Sequence, residues 1–93
     1  MDAGAQLGVA ETLEALAKDA EPDPAATVRL VARAAAIREA IGAPIEPVEL
    51  AELEQQLARA RVCLGAEAYR SLWEHGRATP VEEAVRQDVG TRI

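Results

Sequence analysis

Leu50, Leu53, Leu57, Ala60 and Leu64 recur at steps of three and four residues. That spacing keeps one face of an α-helix apolar for about four turns and fits no β-strand, whose faces alternate every residue. Glu49, Glu52, Gln55, Gln56 and Arg59 take the remaining surface of the same stretch. The rest of the chain repeats the pattern between turn signals at Glu21-Pro22-Asp23-Pro24, Gly42-Ala43-Pro44, Gly65, Gly76 and Gly90. Five helical stretches result.

The first spans Leu7 to Ala20, with Leu13, Leu16, Ala17 and Ala20 on one face and a Glu14–Lys18 pair at i,i+4. The second spans Pro24 to Ile41. Asp23 suits its N-cap, Pro24 its first position, and Gly42 the left-handed residue that ends it. Leu30, Ala34, Ile37 and Ile41 form its stripe. The third spans Pro47 to Leu64. The fourth is short, Ala66 to His75, with Ala68, Tyr69, Leu72 and Trp73 on one face and Gly76 as its stop. Whether it continues the third helix across Gly65 is left open, since a glycine inside a helix costs only about 1 kcal/mol. The fifth opens on Thr79-Pro80-Val81-Glu82, a capping box, and carries Val81, Ala84, Val85 and Val89. Residues 1–6 are expected to form a flexible N-terminal segment, residues 7–90 one helical-repeat domain, and residues 91–93 a tail.

Composition agrees. Almost half of the 93 residues are hydrophobic, yet there is no Phe and only one Trp and one Tyr. A core of Ala, Leu, Val and Ile suits closely stacked helices better than a sheet. The expected class is all-α: antiparallel helical hairpins, because short connections make neighbours antiparallel. Leu13 and Leu16 are echoed by Leu50 and Leu53 thirty-seven residues on, a period typical of helical solenoids.

The formal charge of −6 disfavours direct contact with nucleic acid or an anionic membrane. The Arg residues are scattered, with acids nearby: Arg38 precedes Glu39, and Arg86 follows Glu82. A DNA-binding alternative would use the fourth and fifth helices as a helix-turn-helix, but Val81–Val89 offers only Arg86 against three acids. No signal peptide opens the chain and no apolar run reaches membrane length, so a cytoplasmic location is expected. Cys63 stands alone and reads as a small core residue in a reducing compartment. His75 follows Ser71 by four residues and Glu74 by one, but no oxyanion hole accompanies them; in a last helical turn, His75 suits a capping role. One His and one Cys do not make a metal site, no acidic loop suits calcium, and the glycines never cluster to cradle phosphate. No catalytic residue, metal or cofactor is expected. Tyr69 and Trp73 stand out as scarce aromatics, serving either to close the core or to anchor a partner.

The stretch Leu30 to Pro44, with Arg38-Glu39-Ala40-Ile41-Gly42-Ala43-Pro44 at its end, resembles a segment near the C-terminus of large bacterial regulators. These are LuxR-type or adenylate-cyclase-like proteins with a STAND-class ATPase module followed by tetratricopeptide-like repeats. Glu49-Leu50-Ala51-Glu52-Leu53-Glu54, Leu64-Gly65-Ala66-Glu67-Ala68-Tyr69, Trp73-Glu74-His75-Gly76-Arg77-Ala78 and Glu82-Glu83-Ala84-Val85 continue the similarity in one register, as does Glu11 to Ala17 upstream. The chain departs from it at Ala15 and Ala32, where the family often has Gly, at Glu21 to Asp23, and at Arg33, which replaces a small residue. The resemblance implies a tetratricopeptide-like terminal segment that acts in sensing, packing or partner binding, separate from the ATPase and DNA-binding parts. It carries over no catalytic residue. Such a segment, detached from a preceding repeat, is expected to expose the Leu7, Leu13 and Leu16 side of its first helix. Its partner would be a protein, either another regulator chain or a second copy, with homodimerisation through that face.

Overall fold

A computed structural model describes residues 3–20 and 22–78. These residues are all-helical: α1 (Ala3–Asp19), α2 (Pro24–Ile41), α3 (Pro47–Leu64) and α4 (Ala66–Ala78). The fifth expected helix, with its capping box, lies outside the described residues, as does the tail.

Capping chemistry sets the boundaries of α2 and α3. The Asp23 side chain accepts a hydrogen bond from the Ala26 amide at 3.2 Å, and Pro24 follows it. At the other end Gly42 adopts φ 66°, ψ 34°, and its amide turns back to the Arg38 and Glu39 carbonyls. Glycine enters this left-handed region without a Cβ clash. Pro47 opens α3, and Gly65 at φ 88° closes it, which makes α3 and α4 two helices joined at a corner. The first helix starts at Ala3 rather than Leu7. Ala3, Gly4, Ala5 and Gln6 carry no stripe, but alanine propagates a helix without one.

α2 is the central helix. It packs along α1, along α4, and less extensively along α3, while α4 leans on α2 more than on its chain neighbour α3. Only Arg29, Arg33, Arg38 and Glu39 are charged among its eighteen residues, and a helix apolar nearly all round is buried on several sides. One side of α2 joins Leu30, Val31, Ala34 and Ile37 with Ala10, Leu13 and Ala17 of α1 and Leu53 of α3 in a single core cluster. Val28 and Ala32 are buried outside that cluster. Against Ala32 lies Gly76, which does not end α4 as its sequence context suggests. Gly76 is buried inside α4, where an added Cβ would lie 2.6 Å from the Arg29 carbonyl oxygen.

A buried polar knot ties three helices together. Gln56 of α3 donates to the Ala17 carbonyl at 2.6 Å, and Thr27 of α2 donates to the Ala20 carbonyl at 3.1 Å. These bonds add to the backbone ones that the same two carbonyls, in the last turn of α1 and just after it, accept from the Ala20 and Asp23 amides.

Candidate functional site

The described salt bridges link different helices. Lys18 meets Glu52 rather than Glu14, at 3.2 Å. Glu39 meets Arg77 rather than Arg38. Arg38 reaches Glu14 on α1 in a two-point contact, Nε to Oε2 at 2.6 Å and Nη2 to Oε1 at 2.8 Å. Its Nη1 donates to the carbonyls of Ala43 and Pro44. One guanidinium therefore holds α1, α2 and the connection after Gly42 together. The hydrogen bond to Glu14 raises the Arg38 pKa above its ordinary value; burial works against this, and the charges of Glu14, Glu11 and Glu49 add to it. Arg38 stays charged at any working pH and has no proton to exchange.

Above this ion pair lies a groove of about 530 Å³ between α2 and α3. Val31 and Ala35 form its α2 wall, Leu50 and Leu57 its α3 wall, Ile45 one end, and Trp73 of α4 the other helix's contribution. It exists because α3 directs Leu53, Gln56 and Ala60 into the protein, while Leu50 stays 40% exposed and Leu57 only half-buried. Both belong to the stripe that the spacing assigns to a core, so the stripe is wider than the contact it makes. Among the described residues, no hydroxyl, thiol or imidazole lines the groove.

Trp73 is half-buried and packs on the core. Tyr69 stacks on it with ring centroids 6.3 Å apart and planes 13° apart, and the Arg61 guanidinium lies 5.9 Å from the Tyr69 ring centre, within cation–π range. Burial raises the Tyr69 hydroxyl pKa, opposed by the Arg61 charge. Trp73 thus packs on the core, and both aromatics line an open surface depression.

The other expected interface residues fare differently. Leu13 is fully buried in the core cluster, so it cannot line a surface of the intact protein. Leu16 is half-buried against the same cluster, and Leu7 is half-buried. Of the expected leucine face, Leu13 is therefore corrected to a core residue, while Leu7 and Leu16 keep partial exposure. Cys63, expected inside, is exposed. It occupies the side of α3 away from Leu57, where a late position in a helical pattern does not by itself imply burial. Ser71, Glu74 and His75 are all exposed on α4, and His75 lies in its last turn. Among the described residues, no three His, Cys, Asp or Glu side chains gather into a possible metal site, and no helix is long and apolar enough to cross a membrane.

The groove residues Arg38, Glu14, Ile45, Leu50 and Leu57 were not singled out by the sequence as a site. The seven-residue spacing of Leu50 and Leu57 was their one signal. No known family, curated protein sequence or solved structure matches the chain.

Proposed function

We propose that this chain is a non-catalytic helical interaction module, tetratricopeptide-like and regulatory in role, similar in kind to the C-terminal segment of a bacterial transcriptional regulator. Its partner is a protein that lays an amphipathic helix into the groove between α2 and α3. The observation that carries this reading is the groove itself: two eighteen-residue helices wall it, its sides are aliphatic, and Trp73 stands at its edge. An apolar trough of this form receives a row of side chains at i, i+3, i+4 and i+7, and an aromatic at its edge is the residue type that dominates binding energy. A helix-turn-helix on α4 and residues 79–90 draws no support from the described residues, since its second half lies outside them.

Trp73 is the only tryptophan and reports on the groove directly. The test is a fluorescence titration with a peptide of about 18 residues, long enough to hold a helix, with leucine at i, i+3, i+4 and i+7 and glutamine elsewhere. The expected result is a saturable blue shift of Trp73 emission that Leu57→Glu abolishes. Emission unmoved at saturating peptide, or a shift indifferent to Leu57→Glu, overturns the reading.

A further inference from the structure

The groove continues into a neighbouring depression that shares Glu14, Ile45 and Leu53 with it. Glu54 lines the groove, and Glu11 and Glu49 line the depression. The bases near them are already engaged: Arg38 on Glu14, Lys18 on Glu52, and Arg77 on Glu39. Lys18 lines the depression too, but its ammonium meets Glu52; Glu11, Glu49 and Glu54 form none of the described salt bridges, and the Arg38 charge reaches Glu11 and Glu49 only at longer range. The apolar trough and the depression beside it thus carry three carboxylates that no salt bridge holds.

Resting on the proposed function, we infer that the partner helix is cationic, with Lys or Arg beside its apolar stripe, to meet Glu11, Glu49 and Glu54. Charge complementarity selects this occupant over two others. A second copy of the chain carries a formal charge of −6 and brings further carboxylates to the same place. The chain's own residues 79–93 hold Glu82, Glu83 and Asp88 against Arg86 and Arg92, a net acid. Like charges brought together across an interface cost affinity, whereas opposite ones speed encounter and fix register.

The experiment compares three peptides on the full chain, identical in their leucines and carrying Lys, Glu or Gln elsewhere, with Trp73 emission as readout at low and high salt. The Lys peptide is expected to bind at least about tenfold more tightly than the Glu peptide at low salt, with the gap closing as salt screens exposed charges. The double variant Glu49→Gln, Glu54→Gln should remove most of that gap, with the Lys peptide losing far more affinity than the Gln peptide. Asp19→Asn with Glu74→Gln, which removes two exposed acids that do not line the groove, should preserve it. Equal affinity for the Lys and Glu peptides, or a gap that survives Glu49→Gln, Glu54→Gln, overturns the inference while the Gln peptide's binding keeps the proposed function standing. If no peptide binds, the proposed function itself fails. Binding that appears only in V81D/V85D would give the groove to the chain's own C-terminal residues. Binding that appears only on dilution of a self-associated form would give it to a second copy. Either result overturns the cationic partner.

Discussion

Gly76→Ala is the substitution whose outcome local helix propensity and tertiary packing predict with opposite signs. Alanine inside a helix gains about 1 kcal/mol over glycine. At position 76, however, the new Cβ would sit 2.6 Å from the Arg29 carbonyl oxygen and 2.9 Å from both the Arg29 Cα and the Ala32 Cβ. Ordinary carbon–carbon contacts begin near 3.5 Å, so α4 must move away from α2 by roughly 0.6 Å. Two of the three obstructing atoms are backbone, which cannot rotate aside. Overpacking of this kind costs about 1–3 kcal/mol, and the backbone obstruction places it at the upper end. Set against the propensity gain, the net loss is about 2 kcal/mol, a fall in Tm of roughly 8–16 °C for a chain of this size. Gly8 supplies the control. It is helical and exposed, with nothing within 4 Å of an added Cβ, so Gly8→Ala should raise Tm slightly. Thermal unfolding followed by circular dichroism compares the two. A Gly76→Ala protein as stable as the parent would refute the close approach of α4 to α2.

Three further predictions concern the polar contacts. Glu14→Gln leaves the Arg38 charge, in a side chain only 12% exposed, without its anion; stability should fall by about 2 kcal/mol, less than the ~3–5 kcal/mol of a fully enclosed pair, whereas Glu14→Met with Arg38→Met should recover most of the loss in urea titrations. Gln56→Leu removes the shortest of the hydrogen bonds to the Ala17 carbonyl and should cost about 1 kcal/mol in the same assay. The single tyrosine should titrate, by phenolate absorbance, above the ordinary tyrosine range when the chain is folded and within it when unfolded. Because the folded pKa is the higher, the stability from neutral Tyr69 is present below the ordinary pKa and is lost as pH rises through the folded one; a folded midpoint at or below the unfolded one contradicts its burial.

The helices were legible wherever backbone chemistry leaves a residue-type signature. Asp23-Pro24 with Gly42, and Pro47 with Gly65, mark the ends of α2 and α3 because caps, proline and left-handed glycine are local requirements. Gly76 shows the limit of that logic. A glycine that ends a helix and one that lets another helix come close are the same residue in the chain, and only the position of α2 separates them. The ion pairs teach the same lesson: Glu14 has Lys18 one turn away in sequence, yet the guanidinium of Arg38, twenty-four residues on, holds it with two hydrogen bonds. Leu13 was legible as apolar but not as covered, because its cover comes from α2, whose burial on several sides shows only in the scarcity of its charges. The groove was the least legible feature. It depends on how far α3 stands off α2, and no residue type encodes that distance.

The claim that the α2–α3 groove is the binding surface is tested most directly by mapping amide chemical shifts on adding the Lys-bearing amphipathic peptide. The account predicts perturbations concentrated at Val31, Ala35, Leu50, Leu57 and the Trp73 indole, with Val48 and Val62, 73% and 86% exposed on α3 and outside the groove's lining, left unchanged. Shifts centred on Val48 and Val62, or spread evenly over every acidic residue, would contradict it.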